Sequence, residues 1–329
     1  MKVVITDYEF PNLDPERNAL SGLPALELAE GNCTNEEEII AACADADAVL
    51  NQWNHLTARA IEAMGRCRVI ATYGIGVDKI DVAAATRRGI YVCNSPDYNK
   101  FEVADHTAMM ILALSRQLVQ SDRLMREGKY GWYHLRGELH RPSAQTLGFI
   151  GFGRIARQVA EKMKAFGMRS VCYDPFLSAE QCREAGAEKL ELEEVLKTSD
   201  FVSINVSLTD KTYHLIGAEH LAMMKPSAYL INCGRGAIVD EAALIDVLKK
   251  HAIAGAGLDT FEVEPILPGH PLLELDNVIV TPHSAWHTRE SMWEMQWGAA
   301  NQAALVLAGK RPTHCVNYDA VQAVLRREG

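Results

Sequence analysis

Along the first hundred residues, short runs of apolar and β-branched residues alternate with longer stretches in which apolar residues recur every three or four positions. A short apolar run fits a buried strand, and a period near 3.6 fits an amphipathic helix. The alternation predicts strands at 2–6, 48–51, 69–71 and 90–93, with helices at 35–44, 58–63 and 79–88. Strands separated by helices imply a parallel sheet, because a parallel pair needs a crossover connection. Residues 101–118 are apolar over much of their length and long enough for a helix bridging two domains. Residues 121–143 break the pattern. They mix charges with Tyr130, Trp132 and Tyr133 without clear periodicity, so an exposed loop or an arm gripping a second subunit is expected there.

From residue 145 the alternation resumes, with strands expected at 147–150, 170–173, 201–205, 228–232, 254–258 and 278–280. Six strands are what a full dinucleotide domain needs. A helix expected at 289–307 can return the chain to the first domain. At 329 residues the chain exceeds the size at which one core keeps growing. The expected organisation is therefore a cofactor domain at 101–286 inserted into a discontinuous substrate domain at 1–100 and 287–329, with the active site in the cleft between them.

The start of the second domain is the most informative stretch. Its first strand runs into Gly151-x-Gly153-x-x-Ala156 and then into a helix expected at 154–165. Gly151 permits a tight bend, Gly153 lets backbone N–H groups approach a pyrophosphate, and small Ala156 lets the helix pack on the strand with its positive end toward the phosphates. The next strand ends at Asp174, roughly 20 residues beyond Gly151, where a carboxylate can hold an adenosine ribose and repel a 2′-phosphate. NAD is the expected cofactor, with Gly151, Gly153, Arg154, Ile155 and Asp174 as candidate contacts.

Composition narrows the function classes. A net charge of −10 disfavours general affinity for nucleic acid or an anionic membrane surface. No apolar stretch approaches ~20 residues and the N-terminus does not read as a signal peptide, so a cytoplasmic protein is expected. The eight cysteines include no Cys-x-x-Cys, and no His pair has zinc spacing; free thiols and no metal are expected. Cys233 adjoins Arg235 and reads either as a small residue in a tight turn or as a cofactor contact.

Three ionisable residues fall at strand ends or in the loops that follow: Arg235 in Asn232-Cys-Gly-Arg-Gly236, Glu264 in Leu258-Asp-Thr-Phe-Glu-Val-Glu-Pro265, and His283 in Thr281-Pro-His. The carboxyl ends of strands in an open α/β sheet face the ligand crevice. Carbonyl reduction needs this set: a two-pronged donor for a substrate carboxylate, an imidazole to trade the hydroxyl proton, and a carboxylate to orient that imidazole and favour its charged form.

Seven stretches in order resemble the D-isomer-specific 2-hydroxyacid dehydrogenase family over nearly the whole chain. They are Tyr73-Gly-Ile-Gly-Val-Asp-Lys-Ile-Asp81, Val92-Cys-Asn-Ser-Pro-Asp-Tyr-Asn99, Val103-Ala-Asp-His-Thr107, the glycine turn, the Arg235 turn, Gly257-Leu-Asp-Thr-Phe-Glu-Val-Glu-Pro265, and Thr281-Pro-His-Ser-Ala-Trp286. The resemblance implies a Rossmann dinucleotide-binding domain inserted into a flavodoxin-like α/β substrate domain, and catalysis by Arg235, Glu264 and His283. It implies Cys233, Asp259 and His283 beside the nicotinamide, substrate carboxylate on the Ile75–Gly76 backbone, and Tyr98 facing the pocket. A 2-keto or 2-hydroxy acid substrate and a homodimer follow from it. The chain departs from the family at Asn205-Val-Ser-Leu-Thr209, where His-x-Pro-Leu-Thr is frequent, and at Asp105, where Glu is usual. Trp286, three residues after His283, reads as an apolar wall against the substrate side chain. With the ending Thr313-His-Cys-Val-Asn317 it also resembles the C-terminal binding proteins, corepressors of the same fold family, which makes an NADH-sensing interaction protein the alternative function.

Overall fold

Val3, Val4 and Ile5 are almost wholly buried and form the body of β1 (Lys2–Ile5). The computed structural model describes residues Met1 to Glu328. It divides into two units, Met1–Asn99 with the stretch from His287 onward, and Lys100–Trp286. In the first unit β1 is followed by α1 (Asp14–Leu20), β2 (Glu27–Glu30), α2 (Glu36–Cys43), β3 (Ala48–Asn51), α3 (Ala58–Glu62), β4 (Val69–Thr72), α4 (Val82–Arg87) and β5 (Tyr91–Cys93). All five strands are parallel, in the order β2-β1-β3-β4-β5. α2, α3 and α4 start at side-chain caps: Asn35, Thr57 and Asp81 each accept the N–H three residues on, which satisfies one of the donors a helix start leaves open. Two elements lie outside the predicted set. β2 reads Glu-Leu-Ala-Glu, an edge strand with no buried residue, so it carries no apolar signal. α1 is a short helix that opens on Asp14-Pro15 and buries Glu16.

The second unit contains α5 (Lys100–Ser115), α6 (Leu118–Arg126), β6 (Thr146–Ile150), α7 (Arg154–Lys164), β7 (Arg169–Tyr173), α8 (Ala179–Glu184), β8 (Glu188–Lys189), α9 (Leu192–Thr198), β9 (Phe201–Ile204), α10 (Ala218–Leu221), β10 (Tyr229–Asn232), α11 (Glu241–Lys249), β11 (Gly255–Leu258), α12 (Pro271–Glu274) and β12 (Val278–Val280). Its seven strands are all parallel, in the order β12-β11-β10-β9-β6-β7-β8. The seventh strand, β8, is a two-residue Glu-Lys edge, too short and polar to have been expected. The sheet is buried on both faces. Leu147 and Phe149 of β6 pack into one cluster with Ala108, Ile111 and Val159, while Ile150 belongs to another with Val202, Leu230 and Ala256. Strand order reverses between β6 and β9, the place where such sheets open a crevice for ligands.

The stretch expected to be a loop or arm needs correcting in part. α6 covers its beginning, with Arg123 paired to Glu127 at 3.0 Å and Arg126 to Asp122 at 2.7 Å along the helix surface, and a 3₁₀ turn follows at Trp132–His134. No α6 residue is buried, so the helix is held by local pairs and gives no core-facing stripe to read.

The chain returns to the first unit as α13 (Arg289–Leu307) and ends in α14 (Tyr318–Glu328). Thr288 and Ser291 cap α13 reciprocally, each side chain taking the other's backbone N–H. Ala299, Ala300 and Ala303 are buried on α13. The Gln296 amide donates to both carboxylate oxygens of buried Glu16 on α1, at 3.1 and 3.0 Å.

Candidate active site

β6 ends at Ile150, and Gly151 follows with φ +85°, a left-handed conformation that suits glycine. A Cβ there would lie 2.8 Å from the Asn205 carbonyl oxygen, so the turn sits hard against the end of β9. At Gly153 nothing stands within 4 Å of where a Cβ would be. Gly153 is also the N-cap of α7 and offers no side-chain cap. No side chain of residue 153 therefore covers the start of α7, the arrangement that lets a pyrophosphate approach a helix N-terminus. Ala156 is fully buried under the helix, Arg154 is exposed, and Ile155 packs against the core. At the end of β7, Asp174 accepts the Phe152 N–H on one oxygen and the Phe176 N–H on the other, both at 2.9 Å. These bonds lock the carboxylate to the turn and leave a second lone pair on each oxygen for ribose hydroxyls. The residues present fit a dinucleotide.

Three consecutive strand ends carry the candidate chemistry. Nδ1 of His283 donates to Oε2 of Glu264 over 2.8 Å, with the side chains 23% and 30% exposed, so the pair is sheltered yet reachable. His283 has φ +53°, and its N–H is taken by the carbonyls of Asp259 and Thr281 at 2.9 and 3.0 Å. The other oxygen of Glu264 accepts the Phe261 N–H at 3.0 Å. Burial pushes the Glu264 carboxyl up. The hydrogen bond and charge of His283, the Phe261 N–H and the Arg235 guanidinium together outweigh burial, and the group lies below its ordinary value of 4.5. Arg235 follows β10 in extended conformation, with Nη1 on the Gly234 carbonyl at 3.0 Å.

Asn232 and His106, to which the sequence gave no role, shape this arrangement together with Asp259. Asn232, 1% exposed, accepts the Gly234 N–H at 3.0 Å and donates to the Arg235 carbonyl at 2.9 Å, pinning both sides of the arginine turn. Asp259 is equally buried; its carboxylate takes the Thr281 hydroxyl at 2.5 Å and the Ser284 and Ala285 N–H groups at 2.9 Å. It therefore anchors the loop bearing His283. His106 on α5 reaches the Thr281 oxygen at 3.0 Å and lies 3.7 Å from Asp259. Because Thr281 gives its only proton to Asp259, His106 must donate from Nε2. Burial pushes the His106 imidazole below its ordinary value against the pull of Asp259. The only sequence signal for His106 was its place in Val103-Ala-Asp-His-Thr107.

Cys233 turns its sulfur toward Met110, 3.8 Å away, and burial pushes its thiol up to about 12. Asp105, the departure on α5, pairs with Lys162 at 2.8 Å. Ile75, Gly76 and Tyr98 belong to the first unit and Trp286 to the second. Asn94 donates to the Ile75 carbonyl at 2.7 Å and the Ser95 N–H to the Gly74 carbonyl at 2.8 Å, which fixes the direction of this turn. Tyr98 is buried. All eight cysteines are free. Among the described residues no cluster of His, Cys, Asp or Glu could hold a metal, and no helix is long and apolar enough to cross a membrane.

The family model for the D-isomer specific 2-hydroxyacid dehydrogenase NAD binding domain matches residues 108–285. The glyoxylate reductase of Korarchaeum cryptofilum is 40% identical over 291 residues, which cover 88% of each chain. Among solved structures, a glyoxylate reductase from Paecilomyes thermophila superposes with a TM-score of 0.86 at 28% identity, covering 97% of this chain and 98% of that one. A D-lactate dehydrogenase from Aquifex aeolicus, complexed with NAD and lactic acid, gives 0.83 at 29% identity, covering 96% and 99%. These relatives are named as reductases and dehydrogenases, and the corepressor alternative is not favoured. With parallel sheets in both units, a dinucleotide turn on the second and its family model over more than half of the chain, this protein belongs to the D-isomer-specific 2-hydroxyacid dehydrogenase family.

Proposed function

We propose that this protein reduces a 2-keto acid to the D-2-hydroxy acid with NADH, and runs the reverse oxidation with NAD. The 2.8 Å pairing of His283 with Glu264, on the sheet that also carries Arg235 and the dinucleotide turn, is the observation that carries this reading. Arg235 takes the substrate carboxylate, since its planar fork matches two oxygens, and polarises the keto group. His283, protonated, releases its Nε2 proton to the keto oxygen as negative charge builds there. Glu264 keeps Nδ1 occupied and the ring oriented. Bound NADH supplies the hydride that reaches the keto carbon. The reverse direction needs neutral His283 to accept the hydroxyl proton.

Gly151, Gly153, Arg154, Ile155, Asp174, Cys233, Asp259 and His283 are the proposed cofactor contacts. The backbone of Ile75 and Gly76 is proposed to assist with the carboxylate, and Tyr98 and Trp286 to face the rest of the substrate. A homodimer through the second unit is part of the reading. It is supported by exposed Leu118, Val119, Met125, Tyr130, Trp132 and Tyr133, all between 54% and 83% open, within one short stretch. The test is loss of NADH absorbance with glyoxylate, pyruvate and larger 2-keto acids. Turnover of at least one is expected, and tight NADH binding without turnover of any would refute the reductase reading.

A further inference from the structure

Glu262 stands two residues before Glu264 on the same loop and takes no part in the proton transfer proposed above. Its surroundings are unusually complete for a half-buried acid. Oε1 accepts Nε2 of His214 at 2.8 Å and the Tyr213 hydroxyl at 3.3 Å. Oε2 accepts the Glu241 N–H at 3.4 Å, while the Glu262 N–H donates to Oε2 of Glu241 at 3.1 Å. Each acid thus holds the other's backbone. The second oxygen of Glu241 meets Nε2 of His270 at 3.2 Å, which closes a chain His214–Glu262–Glu241–His270.

The chain joins the pieces that bear the catalytic groups. His214 and Ile216 give their N–H groups to the carbonyls of Ala237 and Ile238, immediately after the arginine turn. A Cβ on Gly236 would run into the carbonyl of Phe261, so the peptide beside Arg235 lies directly on the peptide that precedes Glu262. The Glu264 carboxylate in turn takes the Phe261 N–H. Arg235 and Glu264 are thereby held in one frame, and Glu262, on the Glu264 loop, is the side chain that reaches His214 and Glu241, which bind and follow the arginine turn.

We infer that Glu262 is a positioning residue, locking the Glu264 loop to the Arg235 turn through His214 and Glu241. The inference rests on the reductase reading. Carboxylate capture and proton transfer must occur on one small substrate, and a displacement of about 1 Å between their groups can cost a hundredfold. Removing the lock therefore weakens both at once and leaves the glycine turn, on other strands, untouched.

The experiment compares wild type, Glu262→Ala, Glu262→Gln and His214→Phe, measuring kcat, KM for the best 2-keto acid, and the stoichiometry and Kd of NADH by fluorescence titration. The phenyl ring keeps the stack on Tyr213, whose ring centroid lies 4.0 Å from that of His214, and loses only the donor. Glu262→Ala is expected to lower kcat and raise the keto-acid KM, for a fall in kcat/KM of roughly a hundredfold, with NADH Kd and stoichiometry within about twofold. Glu262→Gln, which keeps an acceptor oxygen, should recover most of the loss. His214→Phe should fall in the same direction and serves as the test if Glu262→Ala does not fold. Variants with kcat/KM within about twofold of an active wild type, or losses that merely follow NADH stoichiometry with KM unchanged, overturn the role of Glu262 alone. A wild type that turns over no keto acid overturns the reductase reading, and this role with it.

Discussion

At Glu264 burial and charge act in opposite directions, and charge prevails. A carboxyl held below its ordinary value binds its proton less readily folded than unfolded. Its contribution to stability is therefore complete above 4.5 and fades as pH falls through the depressed folded value. The Tm advantage of wild type over Glu264→Gln should shrink on acidification through that window; an advantage unchanged down to the acid limit contradicts the assignment. Activity gives a second sign. Glu264→Gln keeps an oxygen beside Nδ1 but loses the negative charge, so its kcat should fall while NADH binding holds, and an undiminished kcat argues against the pair. Arg235→Ala should remove charge-assisted contacts worth about 3 kcal/mol, which is roughly a hundredfold or more in kcat/KM. Its Tm should stay near wild type, and near-normal turnover would contradict the carboxylate role. At Asp174, whose oxygens are fixed by Phe152 and Phe176, the negative charge should give NADH a higher kcat/KM than NADPH. A preference for NADPH would contradict that placement.

The loops at the strand ends owe their shape to buried side chains, and here stability and activity separate. Asp259→Ala would strand two backbone N–H groups and the Thr281 hydroxyl. The cost should be about 2 kcal/mol or more, with a Tm lower by several degrees, together with lost turnover. Arg235→Ala should lose turnover alone, and equal Tm values for the two variants would contradict the anchoring role of Asp259. The same contrast explains what could be read from the sequence. Central strands β3, β4, β6 and β9 are buried on both faces and appear as apolar runs. Arg235, Glu264 and His283, the proposed catalytic residues, could be picked out because they follow β10, β11 and β12, and strand ends are recognisable. β2, β8 and α6 bury nothing of their own and leave no such trace. His106 and Glu262 were hidden for another reason: their partners, Thr281, His214 and Glu241, are distant in sequence, and only the folded sheet brings them together.

For the whole molecule, the exposed aromatics that follow α6 are what supports the proposed homodimer. Trp132 is 83% exposed and Tyr130 80%, neighbours on one short stretch rather than residues scattered singly. Sedimentation should give twice the chain mass, and Trp132→Asp should shift the species toward the monomer. A monomeric wild type at micromolar concentration would contradict the dimer. Trp286 belongs to this scale too, because its proposed place against the substrate side chain would set which substrates the molecule serves. If it walls the substrate side chain, kcat/KM should rise with keto-acid size, by about 0.8 kcal/mol per buried methylene, and the rise should vanish in Trp286→Ala. Identical size profiles in the two proteins would exclude that contact.

In the proposed reaction hydride and proton reach one carbon and one oxygen of a 2-keto acid held by Arg235, with the proton given by His283 and that ring oriented by Glu264. It is tested most directly by following the label from NADH deuterated at the transferred position into the product of pyruvate or a larger keto acid, with chiral separation of that product. The expected product is D-2-hydroxy acid carrying one deuterium at C2, formed by wild type and slowed roughly 10²–10⁴-fold in His283→Ala. Product of L configuration, product without the label, or an undiminished rate in His283→Ala would contradict it.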